Sequence, residues 1–129
     1  MPKTITGAVL VSSAANTAGS TTRGRLDVSG ADGGMIRWRM TNGGTGPSAE
    51  CVARVMVARK QASMPAAGAE GTGDDAWKVV YQQGNGTANN GTTFGSYRFG
   101  PEVSYVQIEF TGNTGQSVTV ECTGDSFVY

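Results

Sequence analysis

The stretch Met35-Ile36-Arg37-Trp38-Arg39-Met40-Thr41 alternates without a break. Ile36, Trp38 and Met40 fall on one side of an extended chain, Arg37 and Arg39 on the other. A repeat of two residues is the mark of a strand with one dry face and one wet face. Working outward, Ser29-Gly30-Ala31-Asp32-Gly33-Gly34 supplies the glycines of a turn before it. After it, Asn42-Gly43-Gly44-Thr45-Gly46-Pro47 cannot hold a ladder of hydrogen bonds and must be a loop. Upstream, Arg23 to Val28 alternates with Leu26 and Val28 on one face, and Thr4 to Ser12 reads as a first strand. Between them Ser13 to Thr22, small and polar, reads as a loop or an arm laid on a neighbour.

Downstream, Glu50 to Arg59 puts Cys51, Ala53, Val55 and Val57 on one face. Val52, Met56 and Ala58 make its other face partly apolar, which predicts a central or covered strand. Gln61 to Asp75 has no period; its length predicts that it, like the arm, either orders against neighbouring subunits or is a flexible loop with no partner. Trp77, Val79 and Tyr81 then alternate with Lys78, Val80 and Gln82, residues 84–91 form a polar loop, and Thr93 to Phe99 is a further strand. Val103 to Phe110 and Ser117 to Thr123 predict a hairpin, with Val106, Ile108 and Phe110 opposite Val118, Val120 and Cys122. Gly100 to Gln107 either resembles the corner of immunoglobulin-like sandwiches, where Tyr105 would bond back to its own turn, or is an ordinary strand start. Phe127-Val128-Tyr129, apolar to the last residue, predicts an end tied down on a sheet or against another subunit.

About eight short strands with no helical stretch predict one all-β domain over residues 1–129, a two-sheet antiparallel β-sandwich of jelly-roll or immunoglobulin-like type. Composition agrees, since 20 glycines and a hydrophobic share of 38% suit short strands joined by tight turns. Basic and acidic residues cancel at 10 each, and no segment gathers Lys or Arg, so a nucleic-acid backbone finds no footprint. Residues 1–6 lack the apolar run of an export signal, and no stretch approaches the roughly 20 apolar residues of a membrane span. The expectation is a chain made in the cytoplasm, with no membrane partner.

The absence of histidine rules out Ser-His-Asp and Cys-His arrangements and predicts a non-enzyme. Cys51 and Cys122 are too few for a zinc site and are expected to be free buried thiols rather than a clamp between strands. Gly43 to Gly46 lacks the Gly-Lys-Ser or Gly-Lys-Thr of a phosphate cradle and reads as a turn. Glu70, Asp74 and Asp75 read as a solvated acidic loop, and Glu109 and Glu121 as solvent-facing acids on the wet side of the predicted hairpin. No cofactor or metal is expected. Arg37, Arg39, Trp77, Tyr81, Phe127 and Tyr129 are the candidate interface residues, and Trp77, Tyr81 or Tyr97 would be the ones to stack on a sugar.

Three features together resemble small structural proteins of tailed bacteriophages: the Gly/Ser/Thr/Asn-rich β-chain, the loop Asn42 to Pro47 before a Val-rich strand, and the late segment Tyr105 to Val120. The resemblance implies a virion component assembled in the host cytoplasm. Its partners would be other copies of itself and the major capsid protein or tail proteins. A capsid decoration (cement) protein is the first expectation. A tail, fibre or baseplate subunit, or a carbohydrate-binding module used in host recognition, is the alternative.

Overall fold

The computed structural model describes residues 2–59, 64–73 and 76–129. Its strands are β1 (Thr4–Asn16), β2 (Thr22–Asp27), β3 (Gly33–Asn42), β4 (Val52–Ala58), β5 (Lys78–Gly84), β6 (Thr92–Phe99), β7 (Tyr105–Thr111) and β8 (Val118–Val128). They form two antiparallel sheets, ordered β1-β8-β3-β6 and β2-β7-β4-β5. The pairs β1·β8, β2·β7, β3·β6 and β4·β5 nest inside one another. That nesting is a long hairpin rolled on itself, a jelly roll. Of the two sandwiches left open by the sequence, the immunoglobulin-like one is therefore set aside. Tyr105 makes no corner; its ring packs edge-on against Trp77, centroids 6.3 Å apart.

The core lies where alternation put it. Ile36, Trp38 and Met40 meet Ala53, Val55, Val106, Ile108, Phe110, Val118, Val120 and Cys122 between the sheets. The predicted hairpin is corrected, however. β7 lies between β2 and β4, and β8 between β1 and β3, so the two apolar triplets face each other across the core and not along a ladder. Alternation fixes which face of a strand is dry and is silent on which strand is its neighbour.

Two predicted segments reaching toward neighbours fold onto their own chain. β1 continues to Asn16, with Ala14, Ala15 and Asn16 opposite Val120, Thr119 and Val118, so the arm shrinks to 17–21. Bulges between Val9 and Val11 and between Val11 and Ala14 interrupt the alternation there and hide the strand from a pattern of two. The remaining loop is held by Gly19 N–H, which donates to Asn113 O (2.9 Å), and by the buried Asn16 amide, which donates to Asn113 Oδ1 (2.6 Å) and Ser20 O (3.1 Å).

Of the excursion, residues 61–63 and 74–75 lie outside the described residues. Residues 64–73 form a strap over the outer face of the second sheet. Gly68 N–H donates to Glu109 Oε1 (3.2 Å), Arg54 Nη2 to Ala69 O (3.2 Å) and Arg23 Nη2 to Pro65 O (3.0 Å). Glu109, expected in solvent, is wholly buried under the strap between Arg54 (2.5 Å) and Arg23 (2.9 Å). An isolated buried carboxylate would be costly; two guanidinium groups and an amide make this one tolerable.

Candidate interaction surface

The two outer faces of the sandwich are finished differently. Under and beside the strap, Met56, Ala58 and Trp77 form a small second core with Met64, Val79 and Tyr105. Arg25 lies 5.0 Å over the Trp77 ring. The β2-β7-β4-β5 sheet is thus closed by its own chain.

No described segment packs across the outer face of the β1-β8-β3-β6 sheet. The alternation of β3 sends Arg37 and Arg39 onto it, and β8 answers with acids at matching heights. Arg37 pairs with Asp125 (3.2 Å) and Arg39 with Glu121 (2.8 Å), the latter directly opposite in the ladder. Around these pairs stand three apolar side chains from the edge strands, Ile5, Val9 and Phe94, which are 61%, 64% and 69% exposed. A groove of about 290 Å³ runs beside Phe94, lined by Arg37, Trp38, Arg39, Glu121 and Thr123. Because Arg37 and Arg39 are already neutralised by Asp125 and Glu121, covering the middle of this face leaves neither of them as an unpaired ion. Apolar knobs set among matched ion pairs are what a flat protein partner covers at low cost.

Of the candidate residues, Arg37, Arg39 and Phe127 share this face. Phe127 sits at the end of β8 with Lys3 Nζ 5.0 Å over its ring and the Tyr129 ring edge-on at 5.5 Å. Tyr129 N–H donates to Asp32 Oδ2 (2.7 Å), and Asp32 N–H to Phe127 O (2.8 Å), so the chain end is tied to its own sheet. Trp77 is a correction: it is wholly buried and offers no interface. It lies on the outer side, where Met56, Ala58, Met64 and Tyr105 close around it, while a bulge at Val80 leaves Val79 opposite Met56 on that side and turns Tyr81, opposite Val55, to the inner side. Tyr81 is half exposed against Trp38, ring centroids 5.8 Å apart, and Tyr97 packs against the main core. Trp77, Tyr81 and Tyr97 therefore share no exposed platform for a sugar.

Sequence reasoning missed Phe94, Ile5 and Val9. The signal for Phe94 was present: in Thr93-Phe94-Gly95-Ser96-Tyr97-Arg98-Phe99 it falls out of phase with Tyr97 and Phe99, which point inward. Both thiols are free and buried. Burial pushes Cys51 up to about 11, with help from Glu50, and Cys122 up to about 12 despite the nearby Arg37. Glu70, read as solvated, accepts a bond from Val79 N–H (2.9 Å).

No protein-family model matches the chain, and no curated protein matches it. Solved structures do. The K3 cleaved adhesin domain of Lys-gingipain from Porphyromonas gingivalis w83 superposes with a TM-score of 0.59 at 10% identity, over 88% of this chain and 72% of that one. The VP2 subviral particle of infectious bursal disease virus gives 0.52 at 9% identity, over 98% of this chain and 33% of that one. The T=1 particles derived from the same virus give 0.51 at 8% identity, over 98% and 32%. The chain spans about a third of the length of those viral chains. At such identities the likeness is one of fold: this is a β-sandwich of the architecture found in a bacterial adhesin domain and in a viral capsid protein.

Proposed function

We propose that the chain is a non-enzymatic virion structural protein, a decoration protein of the kind carried by tailed bacteriophages, which binds the assembled shell through the open face of its β1-β8-β3-β6 sheet. The observation that carries this reading is the unequal finish of the two faces. One is sealed by the strap; the other presents Ile5, Val9 and Phe94 among neutralised ion pairs. The capsid likeness supports the fold part of the reading. Three features support a role without catalysis: the chain has no histidine, its thiols are buried, and Glu109, the one buried carboxylate among the described residues, is held between two arginines.

A protein that binds only the finished lattice stabilises it by mass action. Particles lacking this chain are therefore expected to assemble but to burst at lower temperature, and added purified protein is expected to restore their heat resistance. Phe94→Lys should not restore it. Particles whose heat resistance is unaffected by the loss would contradict the decoration role and favour a tail, fibre or baseplate subunit.

A further inference from the structure

A jelly roll has four sheet edges, and exposed edges invite pairing unless they are defended. Three are defended here. β1 carries two bulges. It also lies so close to β2 that a Cβ on Gly24 would fall on the Leu10 carbonyl, and the same contact covers the edge of β2. β5 is bulged at Val80. β6 carries no bulge, and among the described residues one side chain donates to its free edge, Gln83 Nε2 to Phe94 O. It pairs with β3 from Thr92 to Phe99 without a register shift, and it holds neither Pro nor Lys.

The phase of this ladder is set by Asn42 N–H, which donates to Gly91 O (2.8 Å). Gly91 and each second residue after it turn their main chain toward β3. Thr92, Phe94, Ser96 and Arg98 turn theirs to the free side. Gln83 Nε2, 3.4 Å from Phe94 O, reaches the edge in agreement with that phase. The side chains of these four residues all stand on the open face. Phe94 is 69% exposed, and Arg98, also exposed, has no ion pair among the described residues.

We propose that β6 is a self-pairing edge, along which two copies of the chain join antiparallel about a twofold axis at Ser96. In this register Ser96 faces Ser96 of the second copy, and Phe94 faces its Arg98, twice over by symmetry. Cross-strand neighbours of this kind stabilise a pair, and a guanidinium over an exposed ring gains from both charge and contact. No like charges stand opposite. A twofold axis at Gly95 would instead leave Arg98 facing Thr92 and Phe94 facing Ser96, with neither contact made. Edge pairing supplies the main-chain bonds, and the ring–guanidinium pairs supply the register. The product is one continuous sheet carrying two open faces side by side. The pairing needs only the chain itself, so it stands or falls separately from the virion assignment.

Sedimentation equilibrium of the purified full chain from micromolar to millimolar concentration is expected to show a reversible dimer. Ser96→Pro removes an N–H that the monomer's own ladder does not use, a position where edge strands accept proline. It is expected to stay monomeric over the whole range with its unfolding midpoint unchanged. A second test does not depend on that variant folding. Under copper–phenanthroline oxidation Ser96→Cys is expected to give a disulfide-linked dimer. Thr92→Cys is not, because its two copies would lie roughly 26 Å apart at ~3.3 Å per residue. The native thiols are buried and stay out of the reaction. A chain that is monomeric throughout, a dimer that survives Ser96→Pro, or cross-linking of Thr92→Cys as fast as Ser96→Cys would overturn the proposal.

Discussion

Trp38 keeps its place because the residue facing it has no side chain. Gly95 lies directly opposite on β6, and a Cβ there would fall on the indole ring. Trp38 Nε1 donates to Gln83 Oε1 (2.9 Å), so the polar edge of a buried ring is satisfied as well. Trp38→Ala is expected to cost ~3–5 kcal/mol in urea unfolding. Arg37→Ala and Arg39→Ala, which break exposed pairs, are each expected to cost under about 1 kcal/mol. Equal losses at the three positions would contradict the assignment of faces. The thiols make a second test at this scale. An acid whose folded pKa is raised gives stability that is whole below its unfolded value, near pH 9 here, and is lost as pH rises toward the folded values of about 11 and 12. The native chain is thus expected to resist thiol alkylation at pH 8 until it is unfolded, and to lose stability from about pH 9 upward. Rapid labelling of the folded chain would show that Cys51 and Cys122 are not enclosed.

Among the elements, the strap is the one whose packing is governed by charge. Its backbone is met by Arg54, Arg23 and Glu109, groups placed by the wet phase of β4, β2 and β7 and then covered. Arg54→Ala leaves Glu109 buried with its better-enclosed partner gone, and is expected to cost ~3–5 kcal/mol. Arg23 is partly exposed, so Arg23→Ala should cost about 1 kcal/mol. Limited proteolysis is expected to cut Arg54→Ala within 64–73 faster than the parent chain. Equal protection of the strap in both would contradict its anchoring there. This element also marks where sequence reading stops. The alternation of Tyr105 to Thr111 correctly placed Gln107 and Glu109 opposite the core, but a period of two cannot say what lies over that face. The excursion that covers it has no period at all, and the Asn16–Asn113 contact joins residues 97 apart in the chain.

For the whole molecule, most of the strands and nearly the whole of the main core could be read from alternation and turn residues, because burial of one face dictates both. Strand neighbours could not be read, since they depend on how the long hairpin rolls, and this moved the partners of β7 and β8. Of the interaction surface, Arg37, Arg39 and Phe127 were legible, whereas Trp77 is covered by the second small core and the bulge in β5 turns Tyr81 inward. The finished asymmetry, one face sealed and one open, exists only at this scale, and the proposed role rests on it. Its most direct test is the number of copies of this chain in purified particles, measured against the shell subunit by quantitative mass spectrometry. A decoration protein is expected in fixed, near-stoichiometric ratio to the shell subunit. A count of a few to some tens of copies per particle, or none, would contradict it.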